Sequence, residues 1–243
     1  MQVVGLFIKP QAGQPVQPQA TLQLQQLTGI QGDSHAQVGS PRQVLILDLP
    51  TLQAFGLKLG DLRENIVLDD GLARLRSGQG LQIGQAFIRI TFRCEPCAYL
   101  DSLQAGLIKR IGKQRGWLGM VVRDGTIAIG DTATLLPAQF PPMPDDAKSR
   151  FYEFVATIPP GKVVTTKDLI LALGVTSAHY RVIPSFIKRA ATSLPVHRVV
   201  AIDGSLLTKH LPHQAVLLSA EGITLEADRV SSHDYWQPIH FHR

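Results

Sequence analysis

Cys94 and Cys97 are the only cysteines of the chain, set together in Arg93-Cys94-Glu95-Pro96-Cys97. Thiolate is the softest ligand and the strongest nucleophile a side chain offers near neutral pH. A pair with no other cysteine to cross-link therefore points to chemistry at a site. Three chemistries fit the local spacing. A structural zinc needs four ligands, and neither a second cysteine pair nor a closely spaced histidine pair lies nearby. A redox dithiol of the thioredoxin type belongs in a βαβ unit. Inert thiols packed in a core are the third reading. The local sequence alone leaves all three open.

The elements that must position the pair come from hydrophobic period. Ala86, Ile88, Ile90 and Phe92 alternate with Phe87, Arg89, Thr91 and Arg93, a strand leading into the cysteines. Gln43–Leu47 is a short apolar run between Pro41 and Pro50. Asp124-Gly125 sits between two apolar runs and predicts a type I′ hairpin. After Asp101 or Ser102 as cap, Leu103, Leu107, Ile108 and Ile111 predict one helix. The Gln-rich stretch from Gln11 to Gln26 reads as a polar loop and exposed face. Many short strands, few helices and many glycines predict a β-rich, strongly curved or barrel-like domain over residues 1–136.

Residues 137–146 carry four prolines and no apolar period, which predicts a semi-rigid linker. Helical spacing takes over in residues 147–243. Phe151, Phe154, Val155 and Ile158 form a stripe that stops at Pro159-Pro160-Gly161. Thr166 is placed to cap a helix ending at Gly174, and Ser177 another reaching about Ala190, with Val182, Ile183, Phe186 and Ile187 inward. Two short helices around a tight turn predict a helix-turn-helix, and the whole chain an α+β protein of two domains. Trp236-Gln237-Pro238 reads as a packing anchor.

Composition narrows the classes. The 243 residues are 44% hydrophobic and 18% charged, with a formal charge of +5. That balance permits a phosphate-bearing partner without arguing for one. No apolar run approaches the ~20 residues that cross a bilayer, so no membrane role is expected. The N-terminal Met1–Lys9 reads as a strand rather than a signal peptide, and two cysteines make no secreted framework, so a cytoplasmic location is expected.

The wider constellation favours a fourth reading of the cysteines. Gly29–Ala36, Arg42-Gln43-Val44, Leu62–Ile66, Pro96-Cys97 and Gly130-Asp131 together resemble the MOSC family, the domains related to the C-terminal part of molybdenum-cofactor sulfurase. The resemblance implies a β-rich barrel in which Cys97 ligates molybdenum or carries sulfur for the molybdenum cofactor (molybdopterin). Some members of that family reduce N-hydroxylated compounds, including hydroxylamino-purines, and pyridoxal phosphate binding belongs to it at family level. On this reading Asp33 and His35 orient a ligand or shuttle protons, or simply close a loop by hydrogen bonding. Arg42, Arg63 and Asn65 line the cofactor site, with Arg63-Glu64 as a surface ion pair and Asn65 as a turn residue for alternatives. Arg93 is the cation expected to favour the Cys97 thiolate, and Cys94 is an adjunct. A separate electron-donor or sulfur-donor protein would be needed.

Ile158–Thr166, Pro195–Val200 and Ala220-Glu221-Gly222 resemble the DNA-binding domain of O6-alkylguanine-DNA alkyltransferases and the alkyltransferase-like proteins. The cysteine that precedes the family's His-Arg-Val run is Val196 here, which has no nucleophile, so this site performs no alkyl transfer. His197, Arg198 and Glu221 remain from the degenerate site as hydrogen-bonding residues. The family's tyrosine corresponds to Thr166, and its arginine finger to Tyr180, next to Arg181, or to His179 with the register shifted by one. Lys188 and Arg189 end the candidate recognition helix, where they suit phosphate contact or merely the helix dipole. The resemblance implies duplex DNA as a possible partner. The rival to a molybdenum-cofactor protein is a non-enzymatic binder of alkylated DNA acting in repair.

Overall fold

Alternating apolar residues become sheet in the first part of the chain. The computed structural model describes residues 1–11 and 13–242, and divides into the units Met1–Met143 and Pro144–Arg243. In the first unit the elements run β1 (Val3–Ile8), β2 (Gln17–Pro18), β3 (Thr21–Gln25), β4 (Gly29–Ile30), β5 (Val44–Asp48), α1 (Leu49–Ala54), β6 (Ile66–Leu68) and β7 (Gln79–Ile83). They continue with β8 (Ala86–Arg93), α2 (Tyr99–Leu103), α3 (Leu107–Ile111), β9 (Trp117–Arg123), β10 (Gly125–Ala128) and β11 (Ala133–Ala138). Eight strands form one sheet in the order β11-β7-β8-β9-β5-β6-β1-β2, and β10-β3-β4 form a smaller one. The main sheet curls: Val3 N–H donates to the Asp131 carbonyl at 2.9 Å and Ala133 N–H to the Met1 carbonyl at 2.8 Å, tying the start of β1 to that of β11. This is the β-rich, barrel-like half.

Strand β8 carries the cysteine loop, and packing holds it on both faces. Ala86, Ile88, Ile90 and Phe92 are fully buried, each Ile contributing about 1.5–3 kcal/mol. On the opposite face Thr91 donates to the Pro41 carbonyl at 2.8 Å and Arg89 to the Pro141 carbonyl at 2.8 Å. Met143 N–H also donates to the Ser77 hydroxyl at 2.6 Å, so the proline-rich stretch lies along this unit as far as Met143. Leu22 and Leu24 of β3 are buried, so part of the Gln-rich stretch supplies core.

Two local expectations fail for physical reasons. Asp124-Gly125 makes no hairpin: β9 pairs with β5 and β8, whereas β10 pairs with β3. Gly125 is needed for close approach, since a Cβ there would lie 2.3 Å from the Ala86 nitrogen. The single helix expected after Asp101 is two, broken by Gly106 at φ +73°. The Asp101 carboxylate accepts from Ile108 N–H at 2.9 Å and caps across the break.

The second unit is mainly helical: α4 (Ala147–Thr157), β12 (Val164–Thr165), α5 (Thr166–Leu173), α6 (Ile183–Lys188), β13 (Val199–Val200), α7 (Gln214–Ala220), β14 (Leu225–Glu226) and β15 (Arg229–Val230). Asp146 caps α4, and the stripe Phe151, Phe154, Val155, Ile158 is buried against α5, α6 and Phe241. Trp236 stacks on Phe154 at 5.7 Å between ring centres. The cap of α5 is Thr165, one residue before the one expected. Residues 177–190 do not form one helix. A 3-10 turn, Ser177–Arg181, precedes α6, because Pro184 lacks the N–H and its ring crowds the carbonyl one turn back. That break leaves Val182 exposed instead of inward.

Candidate functional sites

The loop between β8 and α2 separates the two sulfurs by environment: Cys94 is buried and Cys97 is exposed. The Cys97 carbonyl accepts from Leu100 N–H at 3.0 Å, which places its thiol at the entry to α2. The Cys94 sulfur receives Arg115 Nη1 at 2.6 Å and Arg42 Nη2 at 3.7 Å, and Arg115 Nη1 also donates to the Glu95 carbonyl at 3.0 Å. Arg42 Nη1 lies 3.9 Å from the Glu95 carboxylate. Arg93, the cation expected beside the cysteines, lies over the Trp117 ring at 4.9 Å.

Asp33, His35 and Asn65 come together. The buried Asp33 carboxylate accepts from the backbone N–H of Lys9 and of His35, each at 2.8 Å, and from Asn65 Nδ2 at 2.9 Å. His35 Nδ1 is 3.2 Å away, and its half-exposed ring reaches solvent. Burial opposes ionisation of Asp33, but hydrogen bonds from the His35 ring, the His35 backbone and the Lys9 backbone outweigh it and hold the carboxyl below its ordinary range. Asn65 also donates to the Phe7 carbonyl at 3.2 Å and accepts from Leu45 N–H at 3.0 Å. Its amide donors are thus engaged inside the protein, tying β1 and β5 to the Asp33 loop.

Arg63 stands at φ +61° with its guanidinium flat on the Tyr99 ring, 3.6 Å from the ring centre. Glu64 is no surface ion-pair residue: it is fully buried, and its Oε1 accepts from Gly60 N–H at 2.5 Å. Burial holds the Glu64 carboxyl above its ordinary value, and its Oε2 has no hydrogen-bond partner.

Two residues of this cluster escaped the sequence reading. Lys9, at the end of β1, is almost wholly buried, and among the described residues its ammonium has no hydrogen bond or ion pair. Burial, then the charges of Arg63 and Arg115, push its pKa down, while Asp33 and Cys97 pull the other way. Arg115, 6% exposed, keeps its Nε without a partner, as does Arg63. A charged residue closing an apolar strand is the faint mark Lys9 leaves in sequence, and Arg115 leaves none. The cluster thus places an accessible thiol among cations that protein groups do not neutralise. The buried Nε groups of Arg63 and Arg115, which have no hydrogen-bond partner, favour an anion.

In the second unit the carboxylate of Glu221 is saturated. It accepts from His197 Nε2 at 2.9 Å, from Arg198 Nε at 3.0 Å and Nη2 at 2.6 Å, and from Gly161 N–H at 3.1 Å. Burial opposes its charge, yet the bonds from Arg198, His197 and Gly161 lower its pKa to about 2. Arg198 Nη1 continues to the Ile158 carbonyl at 2.5 Å, and Gln214 donates to the His197 and Val199 carbonyls. Val196 lies in the 3-10 turn Val196–Arg198, half-buried against the core. Tyr180 is half-buried and Arg181 exposed in the turn before α6, and Lys188 and Arg189 are exposed at the end of that helix. Thr166 opens α5, half-buried.

Family models match both parts of the chain: the MOSC domain over residues 35–134, and the DNA binding domain of 6-O-methylguanine DNA methyltransferase over residues 146–223. The chain carries both domains. Lys9 and Asp33 precede the matched stretch of the MOSC domain. Among solved structures, the chain is similar to the YuaD protein of Bacillus subtilis (17% identity, 55% of this chain and 94% of that one, TM-score 0.48). It is similar to YiiM of Escherichia coli (16%, 76% and 92%, TM-score 0.44). Its DNA-binding domain is similar to S. pombe Atl1, solved with damaged DNA containing O6-carboxymethylguanine (22%, 38% and 95%, TM-score 0.34). No curated protein matches the chain. Among the described residues no helix is long and apolar enough to cross a membrane, and no three His, Cys, Asp or Glu side chains gather into a metal cage.

Proposed function

We propose that the MOSC domain presents Cys97 to a thiophilic centre of the molybdenum cofactor, as ligand to the metal or as carrier of a sulfur atom destined for it. The observation that carries this reading is an exposed thiol that acts on the charge of Lys9, in a cluster where Arg63 and Arg115 each keep a buried Nε without a partner. A metal whose remaining ligands come from its own cofactor needs a single protein sulfur and no cage. The residues fit such a group. Cys97 would supply the sulfur, and Lys9, Arg63 and Arg115, with Arg42, the positive charge for a pterin phosphate. When bound, the cofactor supplies a two-electron redox centre. The chain's own residues hold the anion, and the Asp33–His35 pair keeps a proton-bearing ring at the solvent side of the cluster. Reduction of N-hydroxylated compounds, modified purines among them, is the reaction this arrangement favours, with electrons from a separate protein. The test is metal and pterin analysis of protein made in a host that produces the cofactor. The intact protein retains molybdopterin and Cys97→Ser does not; intact protein free of pterin would sink the reading.

For the second domain we infer duplex DNA binding without alkyl transfer. Exposed Arg181, Lys188 and Arg189 flank the half-buried Tyr180, an aromatic suited to fill the space of a displaced base, and Val196 offers no nucleophile. Titration with a labelled duplex carrying O6-alkylguanine checks this: Lys188→Ala lowers the salt slope by about 1. Tyr180→Ala weakens binding to the lesion more than to intact duplex. Equal loss on both duplexes removes the wedge from the account.

A further inference from the structure

The buried sulfur has no part in the function proposed so far, yet it is the more tightly held of the pair. Cys94 is 2% exposed, and two guanidinium groups from distant parts of the chain converge on its Sγ. Arg115 Nη1 bridges that sulfur and the Glu95 carbonyl, the first residue of the two that separate Cys94 from Cys97. Arg115 and Cys97 both lie close enough to Lys9 to act on its charge, so they share one electrostatic cluster. Charge-assisted donors aimed at a buried sulfur stabilise negative charge on it. A nucleophile of that kind, three residues from an exposed thiol, suits attack on a sulfur atom carried by that thiol.

We propose that Cys94 is a resolving thiol that discharges sulfur from Cys97 as hydrosulfide. This rests on the sulfur-carrying form of the function above. The Cys94 sulfur anion attacks the inner sulfur of a Cys97 persulfide, the one bonded to Cβ. A Cys94–Cys97 disulfide forms, the bond to the outer sulfur breaks, and HS⁻ leaves with the electron pair of that bond. The persulfide sulfur is reduced to sulfide while the two cysteines are oxidised, so no outside oxidant enters the step. An external dithiol resets the pair for another round. Arg115 is a positioning residue, holding the attacking sulfur and the loop together. Burial keeps Cys94 from loading sulfur itself, which divides the labour: the exposed thiol accepts and the buried one releases.

The experiment uses the reduced full-length protein, treated without oxygen with one equivalent of inorganic polysulfide, desalted and read by intact mass and peptide mapping. Wild type ends lighter than the dithiol by two hydrogens, mapped to a Cys94–Cys97 disulfide. Cys94→Ala and Cys94→Ser keep one added sulfur on Cys97. Arg115→Lys, once Cys97 is loaded, closes the disulfide about tenfold more slowly than wild type. A wild-type protein that holds a stable Cys97 persulfide overturns the proposal and leaves the sulfur-carrying reading intact, and that measurement needs no variant to fold. If Cys97 takes up no sulfur in any form of the protein, the proposal and the reading beneath it fall together. Closure unchanged in Arg115→Lys overturns the arginine's role.

Discussion

Each domain has a charged cluster where its family's cysteine stands, and the two clusters are built in opposite ways. In the DNA-binding domain position 196, where the resemblance implies a cysteine, is valine, and Glu221 is met by His197, Arg198 and Gly161. In the MOSC domain the sulfur remains and the cations near it are only partly partnered: among the described residues, Arg63 and Arg115 each keep a buried Nε with no hydrogen bond. Saturation is what a network needs to hold a fold together, because a half-satisfied buried polar group costs more than none. Unsatisfied charge is what a binding site keeps for a ligand. The saturated cluster suits a structural clamp, and the unsaturated one suits the anion site we propose.

Stability measurements can break that contrast. The largest effect belongs to Glu221→Gln, which leaves the half-buried Arg198 without its counter-charge and should lower the stability of residues 144–242 by about 2 kcal/mol in hydrogen exchange. A loss under about 0.5 kcal/mol would mean the clamp holds nothing. Acid should reveal the same residue. Its folded pKa of about 2 lies below the ordinary carboxyl value, so its stabilisation is complete above pH about 4.5 and fades as pH falls toward 2. Acid unfolding followed by fluorescence should lose that component in Glu221→Gln.

The site side of the contrast predicts smaller changes and of opposite sign. Lys9→Met removes an ammonium whose burial and cationic neighbours oppose its charge, and should stabilise the MOSC domain by roughly 1 kcal/mol while weakening anion binding. Because the folded pKa of Lys9 is depressed, its cost is greatest at neutral pH and eases as pH rises toward its unfolded value. Destabilisation by Lys9→Met would show instead that the lysine is a structural partner. The smallest change is expected for Cys97→Ala, within about 0.5 kcal/mol of wild type in denaturant unfolding, since an exposed side chain supports no packing.

Particular residues show where sequence reading reached and where it stopped. The β8 alternation and the α4 stripe were legible because period reports the buried face directly, and both faces are buried as read. Gly125 was misread because a glycine kept for close approach to Ala86 looks, in sequence, the same as one kept for a turn. Apolar spacing around Pro184 suggests one helix, but the proline's missing N–H and crowding ring split it. Glu64 after Arg63 looked like an exposed pair, but the turn at Arg63 sends the carboxylate inward. Among site residues, Cys97, Asp33 and His35 carried types that signal chemistry, whereas Lys9 and Arg115 are ordinary residues made special by burial beside one another.

Residue type and order alone determined that the chain has a β-rich and a helical part, that sulfur is available at only one loop, and that position 196 can accept no alkyl group. These follow from local covalent chemistry and from the period of apolar residues, which one strand or helix expresses without help from its neighbours. Tertiary packing decided which sulfur is open and which is enclosed, which guanidinium meets Cys94, and which cations go unpaired. Burial and charge coupling are sums over groups brought together from distant positions, and no single stretch of chain contains them.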